Sequence, residues 1–210
     1  MTGLLLEDVV IVLDGRELMR LSESIAPGEI LTVMGPSGSG KSSLLAYVGG
    51  FLPASFQARG NIVLSGKQLN NQPAHERHTG ILFQDPLLFP HMSVGENLLF
   101  AIPSSIKGAS RRRLAEKALS QAGLDEFFDR DPATLSGGQK ARVALMRVLV
   151  SQPRALLLDE PFSKLDAGRR DQIRRFVFDE AKRQNLPILL VTHDKADADA
   201  AGGKIVDLDQ

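Results

Sequence analysis

The feature that most limits what this chain can become is the run Gly35-Pro36-Ser37-Gly38-Ser39-Gly40-Lys41-Ser42, followed by Ser43. Four arbitrary residues separate the first glycine from Gly-Lys-Ser, which is the spacing of a phosphate-binding loop. A short apolar run at 30–34 precedes it, and a helical pattern follows from Lys41 to about Val48. A strand that turns through glycines straight into a helix aims successive backbone N–H groups, and the positive end of the helix dipole, at one anion. In such a loop Lys41 reaches the β and γ phosphates of a nucleotide and the Ser42 hydroxyl coordinates Mg²⁺. The plain alternative is a flexible Gly/Ser turn. It must be set against the odds of a chance match, on the order of one in a hundred for a chain this long.

A second part lies far downstream. Ala155-Leu156-Leu157-Leu158-Asp159-Glu160 reads as a buried strand ending in two carboxylates. Paired acids that merely end a strand at the surface would look the same. Beside a phosphate loop, however, an Asp at the carboxyl end of a strand is placed to hold Mg²⁺ through water. Glu160 is then positioned to polarise an attacking water as general base.

Strand signals at 9–13, 30–34, 61–64, 80–83, 155–158 and 188–191 alternate with helical ones, and the Val/Ile/Leu-rich strands suggest a largely parallel sheet. The first thirty residues, with a turn at Asp14-Gly15, read as an antiparallel β piece. Between about Phe89 and Val150 the strand signals stop, and 111–122 and 137–150 carry apolar residues at helical spacing. A charged amphipathic helix is expected over 167–185. The fold class is therefore α/β: a P-loop NTPase core with a mainly parallel sheet, an N-terminal antiparallel β subdomain and an inserted helical subdomain. The expected organisation is a single domain over 1–210, with 1–88 and 151–210 forming the core and 89–150 the helical insert.

Composition narrows the partners. Lys plus Arg (25) balance Asp plus Glu (25), so nothing marks a nucleic-acid binder. There is no Cys, which removes disulfides and thiolate metal sites and suits a reducing compartment. No stretch approaches the roughly 20 apolar residues that span a bilayer, so a soluble chain is expected, with any membrane role exerted through a partner.

Leu135-Ser136-Gly137-Gly138-Gln139 separates this chain from other nucleotide hydrolases. Ser136 followed by Gln139 is a capping box, a helix start in its own right. Two glycines in a first turn nevertheless cost about 1 kcal/mol each against Ala, and what they permit is close approach of a ligand to the exposed N–H groups. On this segment, with the phosphate loop and Asp159-Glu160, the sequence resembles the ABC transporter ATPase family nearly end to end. The resemblance implies that residues 136–139 contact the γ-phosphate of ATP held by a second copy. It implies that Gln84 is the loop residue that senses Mg²⁺ and water and couples to a permease. It makes Ser163-Lys164-Leu165-Asp166 a segment at the dimer interface, and His193 the switch residue on the γ-phosphate. The implied cofactors are ATP and Mg²⁺. The implied partners are a second copy, transmembrane permease subunits and, indirectly, a periplasmic or extracellular solute-binding protein, with the chain peripheral on the cytoplasmic side of the inner membrane.

The stretch Phe83-Gln84-Asp85-Pro86-Leu87-Leu88-Phe89-Pro90-His91 looks like the importer branch, and within it like the small ATPases of thiamine, polyamine or iron uptake. A generic loop entering a helical insert is the other reading. An exporter or lipoprotein-release ATPase, a non-transport member of the family and a degenerate nucleotide-binding regulator are the competing functions. Lys41, Asp159, Glu160 and His193 speak against the last, and the length of the chain leaves no room for a coiled coil or tandem ATPase domains. The chain ends soon after His193, so no C-terminal regulatory domain is expected.

There are departures from the pattern. Ser43 stands where the family usually has Thr. The aromatic residue that usually stacks on adenine from the first β piece is missing, with Val12 or Leu13 in that region; GTP is therefore expected to serve nearly as well as ATP. Arg111, Arg112 and Arg113 are expected to begin a solvated helix face, with anionic lipid or a permease as the alternative. His75 and His78 are expected to be surface residues rather than metal ligands, and the aspartates of the tail (Asp194, Asp197, Asp199, Asp207, Asp209) to be solvated or capping.

Overall fold

The computed structural model describes residues 3–165 and 167–208. They fall into two compact units. One holds the described residues up to Ile81 together with Arg154–Glu160 and those from Phe178 on; the other holds Leu82–Pro153 and Pro161–Val177.

The first unit contains two sheets. β1 (Leu4–Leu13) pairs antiparallel with β2 (Arg16–Ile25) on one side and with β4 (Phe56–Leu64) on the other, and the two-residue β5 (Lys67–Gln68) completes this sheet. Asp14 and Gly15 both have positive φ, the conformation that an Asp-Gly hairpin turn requires. The apolar alternation in β1 slips phase at Asp8: Leu4 and Leu6 are buried before it, Val9 and Ile11 after it. A bulge there, with Asp8 at φ 48°, accommodates the extra residue. Opposite lies Gly60, where a Cβ would stand 2.4 Å from the Asp8 carbonyl oxygen, so only glycine lets the strands close over the bulge.

The second sheet has strand order β6–β7–β8–β3–β9, with β3 spanning Ile30–Met34, β6 Thr79–Leu82, β7 Ala155–Asp159, β8 Ile188–Thr192 and β9 Lys204–Asp207. β7, β8, β3 and β9 pair in parallel. β8 is buried along its whole length and β3 and β7 in all but their last residue, the pattern of strands covered on both faces. Helix α1 (Lys41–Gly49) packs against β7 and β8. One core cluster joins Leu44, Leu45 and Val48 of α1 to Leu31, Leu157 and Val191 of the parallel sheet and to Leu6, Val9 and Ile62 of the antiparallel one.

The second unit is helical: α2 (Val94–Ala101), α3 (Ala109–Gln121) and α4 (Gly137–Val150) pack on one another. α5 (Ala167–Arg183) supplies residues to both units, and the short α6 (Lys195–Ala201) follows β8 in the first. The sequence reading did not foresee α2, although Ser93 and Glu96 form a full capping box at its start, a signal visible in the sequence. Nor did it foresee α6 and β9, or that β4 begins as early as Phe56.

Two surface expectations are corrected. The Arg111 guanidinium turns inward and donates to the carbonyls of Leu99 (2.6 Å), Pro103 (2.9 Å) and Ile106 (3.0 Å), closing the end of α2. Arg112, paired with Glu116, and the exposed Arg113 conform to a solvated face. Of the tail aspartates, Asp194 caps α6 through the Ala196 N–H, but Asp197 is 2% exposed and its carboxylate bonds the Thr192 hydroxyl. Asp209 lies outside the described residues. His75 and His78 are exposed.

Candidate functional site

Three strands that lie side by side decide where the candidate residues meet. β3 runs into the phosphate loop, β7 ends in Asp159, and β8 is followed by His193. Parallel pairing aligns Met34 with Thr192 and Asp159 with Val191, so the three strands finish within about one residue of the same level. Segments more than a hundred residues apart in sequence are thereby brought to one sheet edge, the carboxyl end where ligands of such sheets bind.

The loop itself is held by its own side chains. Ser39 donates both its N–H and its hydroxyl to the Pro36 carbonyl, and Lys41, only 5% exposed, donates its ammonium to the Gly35 and Pro36 carbonyls at 2.7 Å each. Gly40 takes φ 88° as the cap of α1, and a Cβ there would meet the Leu18 Cβ at 3.2 Å. No side chain caps α1. Its first N–H groups have no intrahelical partner and face the loop, as an anion site requires.

At the other end, α1 is fixed by buried polar groups. Arg77 donates to the Tyr47 and Val48 carbonyls at 2.7 and 2.9 Å and to Gln72 and Asn70 beyond. Burial lowers its pKa, partly offset by Tyr47. The Tyr47 hydroxyl donates to the Gly60 carbonyl of β4, and burial raises its pKa. The helix that presents the loop is thus anchored to its surroundings at its far end.

The carboxylates sit where the loop can use them. The Ser42 hydroxyl donates to Asp159 Oδ1 at 2.9 Å. Burial raises the Asp159 pKa; the Ser42 bond opposes this, the Glu160 charge adds to it, and Lys41 opposes it. Glu160 has φ 44°, a strained value for a side-chain-bearing residue, and its N–H bonds the Val191 carbonyl at 3.0 Å. Its Oε1 lies 3.0 Å from His193 Nδ1. The side chain of Glu160 is 22% exposed and that of His193 55%.

Ser37, Gly38, Gly40, Lys41, Ser42 and Ser43 line a cleft of about 320 Å³ with Glu160. Its remaining walls are apolar: Leu13, Leu18 and Phe56. Phe56 escaped the sequence reading because no local pattern marks it; only the pairing of β4 with β1 brings it to the loop.

The other candidates belong to the helical unit. Gln84 is exposed in the bend after β6, and the neighbouring Asp85 pairs with Lys164 at 2.5 Å. Ser136 starts α4 with the expected reciprocal bonds: its hydroxyl accepts from the Gln139 N–H at 3.3 Å, and its own N–H donates to Gln139 Oε1 at 2.9 Å. Gly137 is exposed and Gly138 is buried, with Ile173 3.5 Å from where its Cβ would be. Asp166 lies outside the described residues, so of the segment beginning at Ser163 only the first three residues are placed.

Comparison with known proteins gives a consistent picture. The family described as "ABC transporter" matches residues 18–163. A protein of Escherichia coli (strain K12), "Uncharacterized ABC transporter ATP-binding protein YnjD", is 46% identical over 197 residues, covering 94% of this chain and 90% of that protein. The "Spermidine/putrescine import ATP-binding protein PotA" of Bacillus cereus is 39% identical over 187 residues, and the "Fe(3+) ions import ATP-binding protein FbpC" of Agrobacterium fabrum 41% over 187 residues. Each of these two alignments covers 89% of this chain, but only 56% and 52% of the respective relative, so the chain spans about half the length of those proteins.

Proposed function

The chain belongs to the ABC transporter family of ATPases and is an ATP-binding protein of that class, and on that premise we propose that it hydrolyses ATP to power uptake of a solute through a partner permease. The observation that carries the chemistry is the meeting of Lys41, the Ser42–Asp159 pair and the Glu160–His193 pair in one unit, at the ends of neighbouring strands.

The phosphates lie against the loop N–H groups and the start of α1, and the Lys41 ammonium exchanges its two carbonyl partners for phosphate oxygens. The Ser42 hydroxyl and the Asp159 carboxylate, 2.9 Å apart, are hard oxygen donors that fit Mg²⁺, an ion that fills the rest of its shell with water and phosphate. When bound, Mg²⁺ neutralises charge that builds on the phosphates during transfer. Gln84 is carried over as a further ligand of that ion on the family resemblance alone.

Glu160 takes a proton from water as the water oxygen bonds the terminal phosphorus; the bond from that phosphorus to the bridging oxygen breaks, and ADP leaves. His193, bonded to Glu160 through Nδ1, holds the carboxylate in position and offers its other ring nitrogen to the terminal phosphate. The start of α4, Ser136 to Gln139, where Gly137 is exposed, closes over the nucleotide of a second copy.

Direction and partner rest on further observations. Relatives named as import proteins favour uptake over export. No helix among the described residues is long and apolar enough to cross a membrane, which fits a chain that acts on a permease from the cytoplasmic side. The helical unit carries the apolar surface such a partner would cover: Leu87 is 57% and Phe100 65% exposed, with Phe89 edge-on to Phe100. Which solute moves is set by the permease and the binding protein.

The test is ATP-dependent dimerisation of Glu160→Gln, followed by light scattering with and without Mg-ATP. Losing the base while keeping the shape should slow hydrolysis by about 10²–10⁴-fold and trap a dimer that appears only with nucleotide. A variant that binds ATP but stays monomeric, both alone and when assembled with its permease, would refute the two-copy arrangement. One that hydrolyses ATP at the native rate would refute Glu160 as the base.

A further inference from the structure

We infer that Phe56, on the first residue of β4, forms the base-binding wall of the nucleotide site together with Leu13 and Leu18, and that this wall accepts adenine and guanine alike. The inference rests on the nucleotide-binding reading above and adds to it the residue that holds the base.

The first β piece brings no aromatic residue to the loop; it brings Leu13 at its hairpin end. Leu13 is the cross-strand partner of Phe56 in the β1–β4 ladder, so the ring stands beside it at the same end of the sheet. Leu18, on β2, packs against the position of Gly40 and thereby against the start of α1. All three side chains line the cleft that the loop residues and Glu160 share, and all three are half-buried. Leu18 and Phe56 also lean on the main core, which holds them in place. The result is a fixed apolar surface, open on one side, next to the place where phosphates bind.

The chemistry of that wall limits what it can distinguish. Leu13, Leu18 and Phe56 offer no side-chain hydrogen-bond donor or acceptor. An aromatic ring stacks on any base because every base has a π-face. Strong rejection of one purine requires polar groups that its competitor would leave unpaired, and the wall has none. The aromatic contribution has therefore moved from the first β piece to β4, and purine identity goes unread.

The experiment uses the full chain and three ligands, Mg-ATP, Mg-GTP and inorganic tripolyphosphate, titrated calorimetrically into the native protein, Phe56→Ala and Phe56→Trp. The native chain should bind ATP and GTP within about threefold of each other. Losing one stacking partner costs roughly thirtyfold at the middle of the usual range, so Phe56→Ala should weaken both nucleotides by about that factor and leave tripolyphosphate unchanged. The chain has no Trp, so Phe56→Trp introduces a lone indole whose fluorescence should respond to ATP and GTP but not to tripolyphosphate. Unchanged nucleotide affinity in a folded Phe56→Ala, an indole that ignores ATP, or a hundredfold preference for ATP in the native chain would each overturn the inference. A native chain that binds neither tripolyphosphate nor either nucleotide would instead overturn the nucleotide-binding reading beneath it.

Discussion

Replacing Arg77 by Ala should destabilise the chain by about 3 kcal/mol while leaving the phosphate loop able to bind nucleotide. The guanidinium is buried, and its close partners are carbonyls: Tyr47 and Val48 at the end of α1, and Gln72 beside them. Removing it leaves the Val48 carbonyl without its donor and the Tyr47 carbonyl with the longer Gly50 N–H bond of 3.3 Å, at about 1–3 kcal/mol for each lost partner; water entering the vacated space keeps this near the lower bound. The lost stem adds about 2 kcal/mol of apolar burial, and the lost attraction between the cation and the helix C-terminus adds about 0.5 kcal/mol. Against these stands the relief of no longer burying a guanidinium, whose pKa burial already lowers; we take this as about 1–2 kcal/mol returned. The balance is close to 3 kcal/mol.

In a chain of this length that corresponds to a fall in Tm of about 6–12 °C, or a clear drop in urea midpoint without a change in slope. Lys at 77 keeps the charge but not the fork of donors, and should recover only part of the loss. α1 has nine residues, so Arg77 acts about 13 Å from the loop. ATP affinity measured well below the melting range should therefore change by less than about threefold. A Tm within 2 °C of native would refute the clamp. A large loss of ATP affinity at full stability would mean that Arg77 acts on the site and not on the helix end.

Two further outcomes follow from the site. Asp159 is held with its pKa above the ordinary carboxylate value, so the folded chain retains that proton more tightly than the unfolded one. Its contribution is fully present below the ordinary value and is lost as pH rises through the raised one. Asp159→Asn should therefore raise the Tm of the nucleotide-free protein at neutral pH and narrow the Tm difference between pH 4 and pH 7, while weakening the effect of Mg²⁺ on ATP binding; a lower Tm at pH 7 would contradict it. Ser136→Ala removes the capping box of α4 and should cost about 1 kcal/mol in urea unfolding; under the two-copy arrangement it should also abolish the ATP-dependent dimer of Glu160→Gln, and a dimer that persists would argue against that contact.

Much of the site was legible because its parts are local. The spacing of Gly35, Gly40, Lys41 and Ser42 is that of one loop able to wrap one phosphate, and the run from Ala155 to Asp159 combines strand and candidate ligand in consecutive residues. The Ser136–Gln139 box is a reciprocal pair of bonds across three residues, and it appears as written. Other parts were not legible. Arg111 looked like a solvated charge, yet carbonyls at the end of α2 capture it. Asp197 sat in an acidic tail, yet it is buried against Thr192. In both cases the partner is set by how a helix ends or packs, which local composition does not encode.

The sequence by itself determined the candidate chemistry: a loop suited to phosphates, hard oxygens suited to a divalent ion, a proposed base and a proposed histidine partner, each recognisable because its backbone setting is short-range. The tertiary structure alone decided how these meet. Parallel pairing of β7, β8 and β3 brings Asp159, Glu160 and His193 to the loop, and antiparallel pairing of β1 with β4 brings Phe56 to the same cleft. Strand register is a property of pairs of segments, selected by burial over the whole sheet, and a chain read one segment at a time does not contain it.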